Sequence, residues 1–142
     1  MKVKDLMTSS VVSLNSNDST KKAAELMKEH NIGSVPVCQD GKVIGIVTDR
    51  DIALRTVGDG KDAKTVTVRD IMSSNPVLGT PDMSIDEASR IMSDRQIRRL
   101  PVVDNNNLVG ILALGDIAVQ PRLNENAERA LSSISESNTL EY

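Results

Sequence analysis

The chain contains one sequence unit twice. When the sequence is shifted by 65 positions, residues 3–55 align with residues 68–120 without a gap, and 16 of the 53 aligned pairs are identical. Most of the other pairs keep their apolar or polar character. A gap-free match of this length indicates a tandem duplication, so both halves are expected to share one fold.

The duplication predicts three segments: a domain over residues 1–60, a second domain over residues 61–122, and a helical tail over residues 123–142. A single repeat is too short to bury much surface alone, so the two repeats are expected to pack sheet against sheet, with a cleft lined by related segments of both. The tail carries apolar residues at helical spacing and should pack on the domains or on a partner chain, with residues 135–142 fraying. These apolar residues are Ala127, Ala130, Leu131 and Ile134.

The sequence pattern of each repeat predicts the element order β-α-β-β-α, which is typical of an α+β fold. The first strand is expected at Val11–Leu14, and at Val77–Leu78 in the second repeat. A helix then begins at Ser19, or at Ser84 in the second repeat, where Ser84–Glu87 has the pattern of a capping box.

Two short strands joined by a tight turn follow in each repeat. They are Val35–Cys38 and Val43–Val47 around Asp40-Gly41 in the first repeat, and Leu100–Val103 and Leu108–Leu112 in the second. A last helix ends each repeat. The strand–helix–strand step implies a parallel strand pair with a right-handed crossover.

The composition argues against several classes of protein. His30 and Cys38 are the only residues of their types, which leaves no structural zinc site made of Cys and His. Tyr142 is the only aromatic residue, so there is no platform on which bases could stack. The net charge of -3 also argues against a nucleic-acid partner. No nucleophile, base and orienting group form a recognisable set, so we predict no enzyme, no catalytic residue and no metal site.

The hydropathy pattern predicts a cytoplasmic protein without a membrane partner. The apolar stretch Leu108–Leu114 is far shorter than the roughly 20 residues of a membrane span. Polar residues follow Met1 at once, so no signal-peptide core is expected. A single unpaired cysteine, Cys38, fits a reducing compartment.

Several motifs resemble those of CBS-domain pairs, which are also called Bateman modules. Asp5–Met7 and Asp70–Met72 resemble the opening of the family's repeats, and Ile97–Asp104 resembles its second-strand motif. Gly45–Asp51 matches its ligand motif, in which Thr or Ser stands three residues before Asp. The resemblance covers residues 3–120, and the chain is similar to small stand-alone bacterial CBS-domain proteins.

The resemblance implies a regulatory, ligand-sensing module. Its ligand would contain adenosine, as AMP, ADP, ATP or S-adenosylmethionine do, and no further cofactor would be required. Two copies would pair as a homodimer with twofold symmetry, and an effector protein would receive the signal. The alternative is a ligand-independent adaptor or dimerisation module that docks on a partner protein.

The resemblance also implies two ligand pockets of unequal strength. In the first, an aspartate would accept hydrogen bonds from the ribose hydroxyls, a threonine would donate to a phosphate, and arginines would pair with phosphate. Its residues are Thr48, Asp51, Val77, Leu78, Arg98 and Arg99. The second, weaker pocket would consist of Val11, Val12, Gly33, Ser34, Ala113 and Asp116.

The second pocket departs from the family pattern at three positions. Ala113 stands where the threonine is expected, and Gly33 and Ser34 stand where the first pocket has its two arginines. A purely structural interpretation remains open for both pockets. Asp51 and Asp116 would then be acidic residues favoured at the start of a helix, and the arginines would be solvated surface charges.

Overall fold

The computed structural model describes residues 1–120 and 124–140, and within the last helix it describes the side chains of residues 126–134. The chain divides into two compact units. We call them the repeat-1 unit, formed by Val12–Pro76 and Asn106–Leu108, and the repeat-2 unit, formed by Met1–Val11, Val77–Asn105 and Val109–Tyr142. Each unit contains most of one repeat together with a short segment from the other half of the chain.

The repeat-1 unit is built on the four strands β1 to β4. β1 (Leu14–Asn15) pairs in parallel with β2 (Ser34–Gln39), which pairs antiparallel with β3 (Lys42–Thr48). β4 (Ser73–Ser74) pairs antiparallel with β3 and was not predicted from the sequence. The β1–β2 pair, with a helix between its strands, confirms the predicted parallel pairing.

β1 is shorter than the predicted strand Val11–Leu14, and the reason is a proline. The parallel register aligns Leu14 with Val37, so Ser13 would lie opposite Pro36. Because proline has no amide hydrogen to donate, the ladder stops there.

A two-residue turn joins β2 to β3, as predicted. Asp40 has a φ of 54° and Gly41 a φ of 81°. Positive φ at both central positions is the conformation that suits a tight hairpin, and glycine adopts it without steric cost. Across the turn, Lys42 pairs with Asn107, and the Leu108 amide donates to the Gly41 carbonyl at 3.3 Å.

Helices cover the repeat-1 sheet. α2 (Thr20–His30) begins where the Ser19 hydroxyl accepts a hydrogen bond from the Lys22 amide at 3.1 Å. α3 (Asp49–Ile52) continues directly into a π-helix, Ala53–Val57. α4 (Val68–Ile71) is the first element of the second repeat but supplies two side chains to this core. The buried apolar cluster consists of Leu14, Ala23, Met27, Val35, Val37, Val47, Val68 and Ile71.

The repeat-2 unit repeats this plan. α5 (Ile85–Arg95) begins at Ser84, whose hydroxyl accepts from the Glu87 amide at 3.1 Å. The neighbouring strands β5 (Arg99–Asp104) and β6 (Asn107–Ala113) lead to α6 (Leu114–Ala118). The predicted hairpin strands are therefore confirmed in both repeats.

The predicted strand Val77–Leu78 was wrong. Pairing in this region is limited to a single parallel bridge between Gly79 and Val102. Gly79 lies 65 positions after Leu14, and in the same register Leu78 would face Pro101. The missing amide of a proline therefore ends the ladder in both repeats.

The ends of the chain complete the repeat-2 core. α1 (Val3–Leu6) buries Val3, and α7 (Asn124–Leu140) buries Ala127, Ala130 and Ile134. Leu131, the fourth apolar residue of the tail, is 42% exposed and does not belong to this core. The spacing of the three buried residues defines a stripe that leaves Leu131 on its flank. The remaining members of this cluster are Ile85, Ala88, Met92, Leu100, Val102, Leu112, Leu114 and Ile117.

The tail helix extends further than predicted. It continues to Leu140, whereas fraying was expected from residue 135, and residues 141 and 142 lie outside the described residues. Among the described residues, no helix combines the length and apolar character needed to cross a membrane.

The segment that opens each repeat packs on the other repeat. In the repeat-2 unit, the Val3 amide donates to the Met83 carbonyl at 2.8 Å, and Thr8 and Ile111 exchange two backbone hydrogen bonds of 2.9 Å. In the repeat-1 unit, the Val68 amide donates to the Asp18 carbonyl at 2.9 Å. Neither repeat therefore completes its core from its own residues alone.

Candidate functional site

Thr48 and Asp51 meet where β3 ends and α3 begins. The Asp51 amide donates to the Thr48 hydroxyl at 3.1 Å, and the Thr48 amide donates to Asp51 Oδ2 at 2.9 Å. This reciprocal capping box fixes both side chains at the first turn of the helix. It also leaves two groups available, because the Thr48 hydroxyl retains its hydrogen and Asp51 retains its Oδ1 oxygen.

A cation lies beside the available oxygen. Arg55 Nε is 4.0 Å from Asp51 Oδ1, and Arg55 Nη1 donates to the Ile71 carbonyl at 3.1 Å. The Asp51 side chain is only 12% exposed, whereas that of Arg55 is 54% exposed. Arg55 was not predicted as a site residue, although its position four residues after Asp51 on a helix is a signal that could have identified it.

Gly33 and Ser34 adjoin this corner of the repeat-1 unit. Ser34 pairs with Thr48 across the β2–β3 ladder, and the Gly33 carbonyl accepts from the Asp49 amide at 2.9 Å. A Cβ on Gly33 would lie 3.0 Å from an Asp49 carboxylate oxygen, so the glycine leaves room for that side chain. Val12 is half-buried and packs against the apolar cluster of the same unit.

The equivalent corner of the repeat-2 unit has only half of the capping arrangement. The Ala113 amide donates to Asp116 Oδ2 at 3.1 Å. Alanine carries no hydroxyl, so the Asp116 amide does not receive the bond that Thr48 gives to Asp51. The Leu114 amide donates to the Arg98 carbonyl at 2.8 Å, which ties the start of α6 to the segment preceding β5.

The remaining predicted site residues also lie in the repeat-2 unit. Arg98 is exposed, whereas Val11, Val77, Leu78 and Arg99 are half-buried. Val77 packs against the repeat-2 cluster.

The residues predicted for each pocket are thus divided between the units. For the first pocket, the repeat-1 unit contains Thr48 and Asp51, and the other four residues belong to the repeat-2 unit. For the second, Val12, Gly33 and Ser34 belong to the repeat-1 unit, and Val11, Ala113 and Asp116 to the repeat-2 unit.

Cys38 lies on β2, half-buried. Burial raises the pKa of its thiol, and a side-chain hydrogen bond with Ser13 offsets part of that increase. A raised pKa disfavours the reactive thiolate. Across residues 1–120 and 124–140, no three His, Cys, Asp or Glu side chains form a group that could hold a metal ion.

The sequence profile of the CBS domain matches residues 3–57 and 68–120. The chain belongs to the CBS domain family. The predicted tandem CBS fold is therefore confirmed, and the two matched regions coincide with the two repeats.

Individual CBS proteins resemble most of the chain. The CBS domain-containing protein YhcV of Bacillus subtilis is 52% identical over 136 residues, covering 96% of each chain. The crystal structure of Hypoxic Response Protein I with two coordinated zinc ions has a TM-score of 0.78 at 32% identity, covering 84% of this chain and 98% of that one. The CBS domain pair of protein MJ0100, in complex with 5′-methylthioadenosine and S-adenosyl-L-methionine, has a TM-score of 0.73 at 32% identity, covering 83% of this chain and 93% of that one.

Proposed function

We propose that this CBS protein is a regulatory module that binds an adenosine-containing ligand. Asp51 would accept hydrogen bonds from the ribose through Oδ1, and the Thr48 hydroxyl would donate to a phosphate or another acceptor. The capping box carries this proposal, because it holds both side chains in place while leaving these two groups available. The adenosine-type ligands of the MJ0100 domain pair support the ligand class.

The two repeats would bind with different affinities. Asp116 has a carboxylate held like that of Asp51, but Ala113 offers no hydroxyl. A hydrogen bond to a charged group contributes about 1.5–3 kcal/mol, and losing one weakens binding roughly ten-fold or more. We therefore expect one tight binding event that depends on Asp51 and a weaker one that depends on Asp116.

Isothermal titration calorimetry with AMP, ATP, adenosine and S-adenosylmethionine tests this proposal. Asp51→Asn retains an oxygen that can cap the Thr48 amide but lacks the negative charge, so it should weaken the tight event at least about ten-fold. Asp116→Asn is the matched control and should leave that event unchanged. If Asp116→Asn removes the tight event while Asp51→Asn preserves it, the assignment is wrong. If none of the four compounds binds the native chain, the ligand-independent adaptor is favoured.

We also propose that two copies associate as a homodimer and that the chain performs no catalytic step of its own. Leu54 and Val57 support the association, because they are 54% and 70% exposed on the π-helix, where a partner could cover them. Cyclic twofold pairing is the commonest arrangement among soluble oligomers. Light scattering over a range of protein concentrations should give the mass of a dimer, and a monomer at every concentration would contradict the proposal.

A further inference from the structure

A polar groove lies between α5 and α7 in the repeat-2 unit. Its volume is about 410 Å³, which lies within the range of about 300–1,000 Å³ typical of small-molecule sites. It contains none of the residues assigned to the adenosine-type ligand. The side chains that carry the argument are Asp86, Ser89, Arg90, Asp94, Asn126 and Arg129.

The groove contains a buried hydroxyl without a hydrogen-bond partner. Ser89 is 5% exposed, and its Oγ has no partner among the described residues. Buried polar groups are usually satisfied, because leaving one unpaired costs stability. A bound molecule with a donor or acceptor at this point would satisfy the hydroxyl.

The charges in the groove alternate in sign along α5. Asp86, Arg90 and Asp94 follow one another at intervals of four residues and therefore lie on one face of the helix. Asp86 accepts a hydrogen bond from Asn126 Nδ2 at 2.7 Å, which ties α7 to α5. In the part of the chain that the structure describes, neither Arg90 nor Asp94 forms an ion pair, so a cation and an anion lie unneutralised on one helix face.

The balance of charge limits the class of ligand. Two aspartates and two arginines line the groove, so there is no excess of positive charge to favour a phosphate and no excess of negative charge to favour a cation. A molecule carrying one group of each sign would complement Arg90 and Asp94 together.

We propose that this groove binds a small zwitterion of the α-amino acid class. The ligand carboxylate pairs with Arg90, the ligand ammonium group pairs with Asp94, and the Ser89 hydroxyl hydrogen-bonds to the ligand at the base of the groove. The α7 tail forms the second wall, so the site exists only in a chain that carries this helix.

Calorimetry and thermal shift with the twenty common L-α-amino acids, tested singly, address the ligand class. Propionate and n-propylamine serve as probes that carry only one of the two charged groups. At least one amino acid should bind with a stoichiometry of one per chain, and each single-charge probe should bind at least ten-fold more weakly. A flat response to all twenty overturns the proposal, and so does propionate or n-propylamine binding as tightly as the best amino acid.

Substitutions in the groove then test the site itself. Arg90→Gln and Asp94→Asn should each weaken amino-acid binding at least ten-fold, and Ser89→Ala should weaken it several-fold. Arg95→Gln changes an exposed arginine of the same helix outside the groove and should leave binding unchanged. Circular dichroism and melting temperature check that each variant folds. Folded Arg90→Gln and Asp94→Asn variants that bind like the native chain would overturn the proposal, whereas the adenosine titration is expected to be unaffected in every variant.

Discussion

The sulfur of Met7 lies 2.6 Å from the point that a Cβ atom would occupy on Gly110. Met72 covers Gly45 in the same way, with its Cγ 2.9 Å from the corresponding point. Each methionine belongs to the short segment that opens one repeat, and each glycine belongs to the strand of the other repeat on which that segment packs. Glycine at these two positions allows the close approach.

A side chain at either glycine should therefore destabilise the protein. In Gly110→Ala the new Cβ would meet the Met7 sulfur and lie 3.1 Å from the Thr8 carbonyl oxygen, and in Gly45→Ala it would lie 2.9 Å from the Ser73 carbonyl oxygen. We expect each change to lower the free energy of unfolding by about 1–3 kcal/mol, as overpacking commonly does. Urea denaturation measures the loss.

Gly115→Ala is the control for these two variants. Gly115 lies in α6, and a Cβ there would have no neighbour within 4 Å. Alanine should stabilise that helix by about 0.4–1 kcal/mol. If Gly110→Ala is as stable as Gly115→Ala, the close approach does not limit position 110.

The segments that open the two repeats, which contain α1 and α4, should contribute equally to stability. Val3 and Val68 occupy equivalent positions in α1 and α4, and both are 0% exposed. Val3→Ala and Val68→Ala each remove two buried methyl groups and leave a cavity, so we expect each to lower the unfolding free energy by about 2–3 kcal/mol. Val119→Ala, at a position 74% exposed, should change it little. A negligible effect of Val3→Ala in chemical denaturation would mean that α1 is not part of the folded core.

A hydroxyl at position 113 should complete the half-formed cap of α6. Ala113→Thr would offer an acceptor to the Asp116 amide, as Thr48 does to Asp51, and we expect a gain of about 1 kcal/mol in unfolding free energy. Thr48→Ala is the reciprocal change and should cost about the same. Thermal unfolding followed by circular dichroism compares the two variants. An equal loss of stability in both would contradict the explanation by capping.

Arg98, which the family resemblance assigns to phosphate, should discriminate between ligands. Arg98→Ala should weaken binding of AMP and ATP roughly ten-fold or more while leaving adenosine binding nearly unchanged, because only the phosphate contact is removed. Arg95→Ala, another exposed arginine, should affect neither. An equal loss of AMP and adenosine affinity, measured by calorimetry, would exclude a phosphate-specific role.

Cys38 should react slowly with iodoacetamide near pH 8. Its raised pKa keeps the thiol protonated in the folded chain, and the midpoint of the pH–rate profile should return to the ordinary thiol range in denaturant. Because the folded state then holds the proton more tightly than the unfolded state, this residue should lower stability as the pH rises from the ordinary thiol pKa to the raised one. Cys38→Ala removes that contribution, and a Cys38 rate equal to that of free cysteine would contradict the prediction.

The duplication was visible in the sequence as a gap-free match of its two halves. The helices capped by Ser19 and Ser84 and both hairpins could also be predicted, because each depends on local turn and capping chemistry. The first strands were placed too early, since their extent depends on which residue faces Pro36 or Pro101, and register cannot be read from either strand alone. The Asp51–Thr48 contact follows from their spacing of three residues. The unpartnered hydroxyl of Ser89 could not be foreseen, because it depends on how α7 packs on α5.

The exchange of leading segments also has a consequence for the origin of the chain. A polypeptide containing only one repeat would carry an opening segment that packs on the sheet of another copy. Its own sheet would still need the opening segment of that copy. Two such polypeptides would complete each other's cores as a dimer in which the opening segments are exchanged. Duplication and fusion of the gene would make this exchange intramolecular. Folding would then no longer depend on protein concentration.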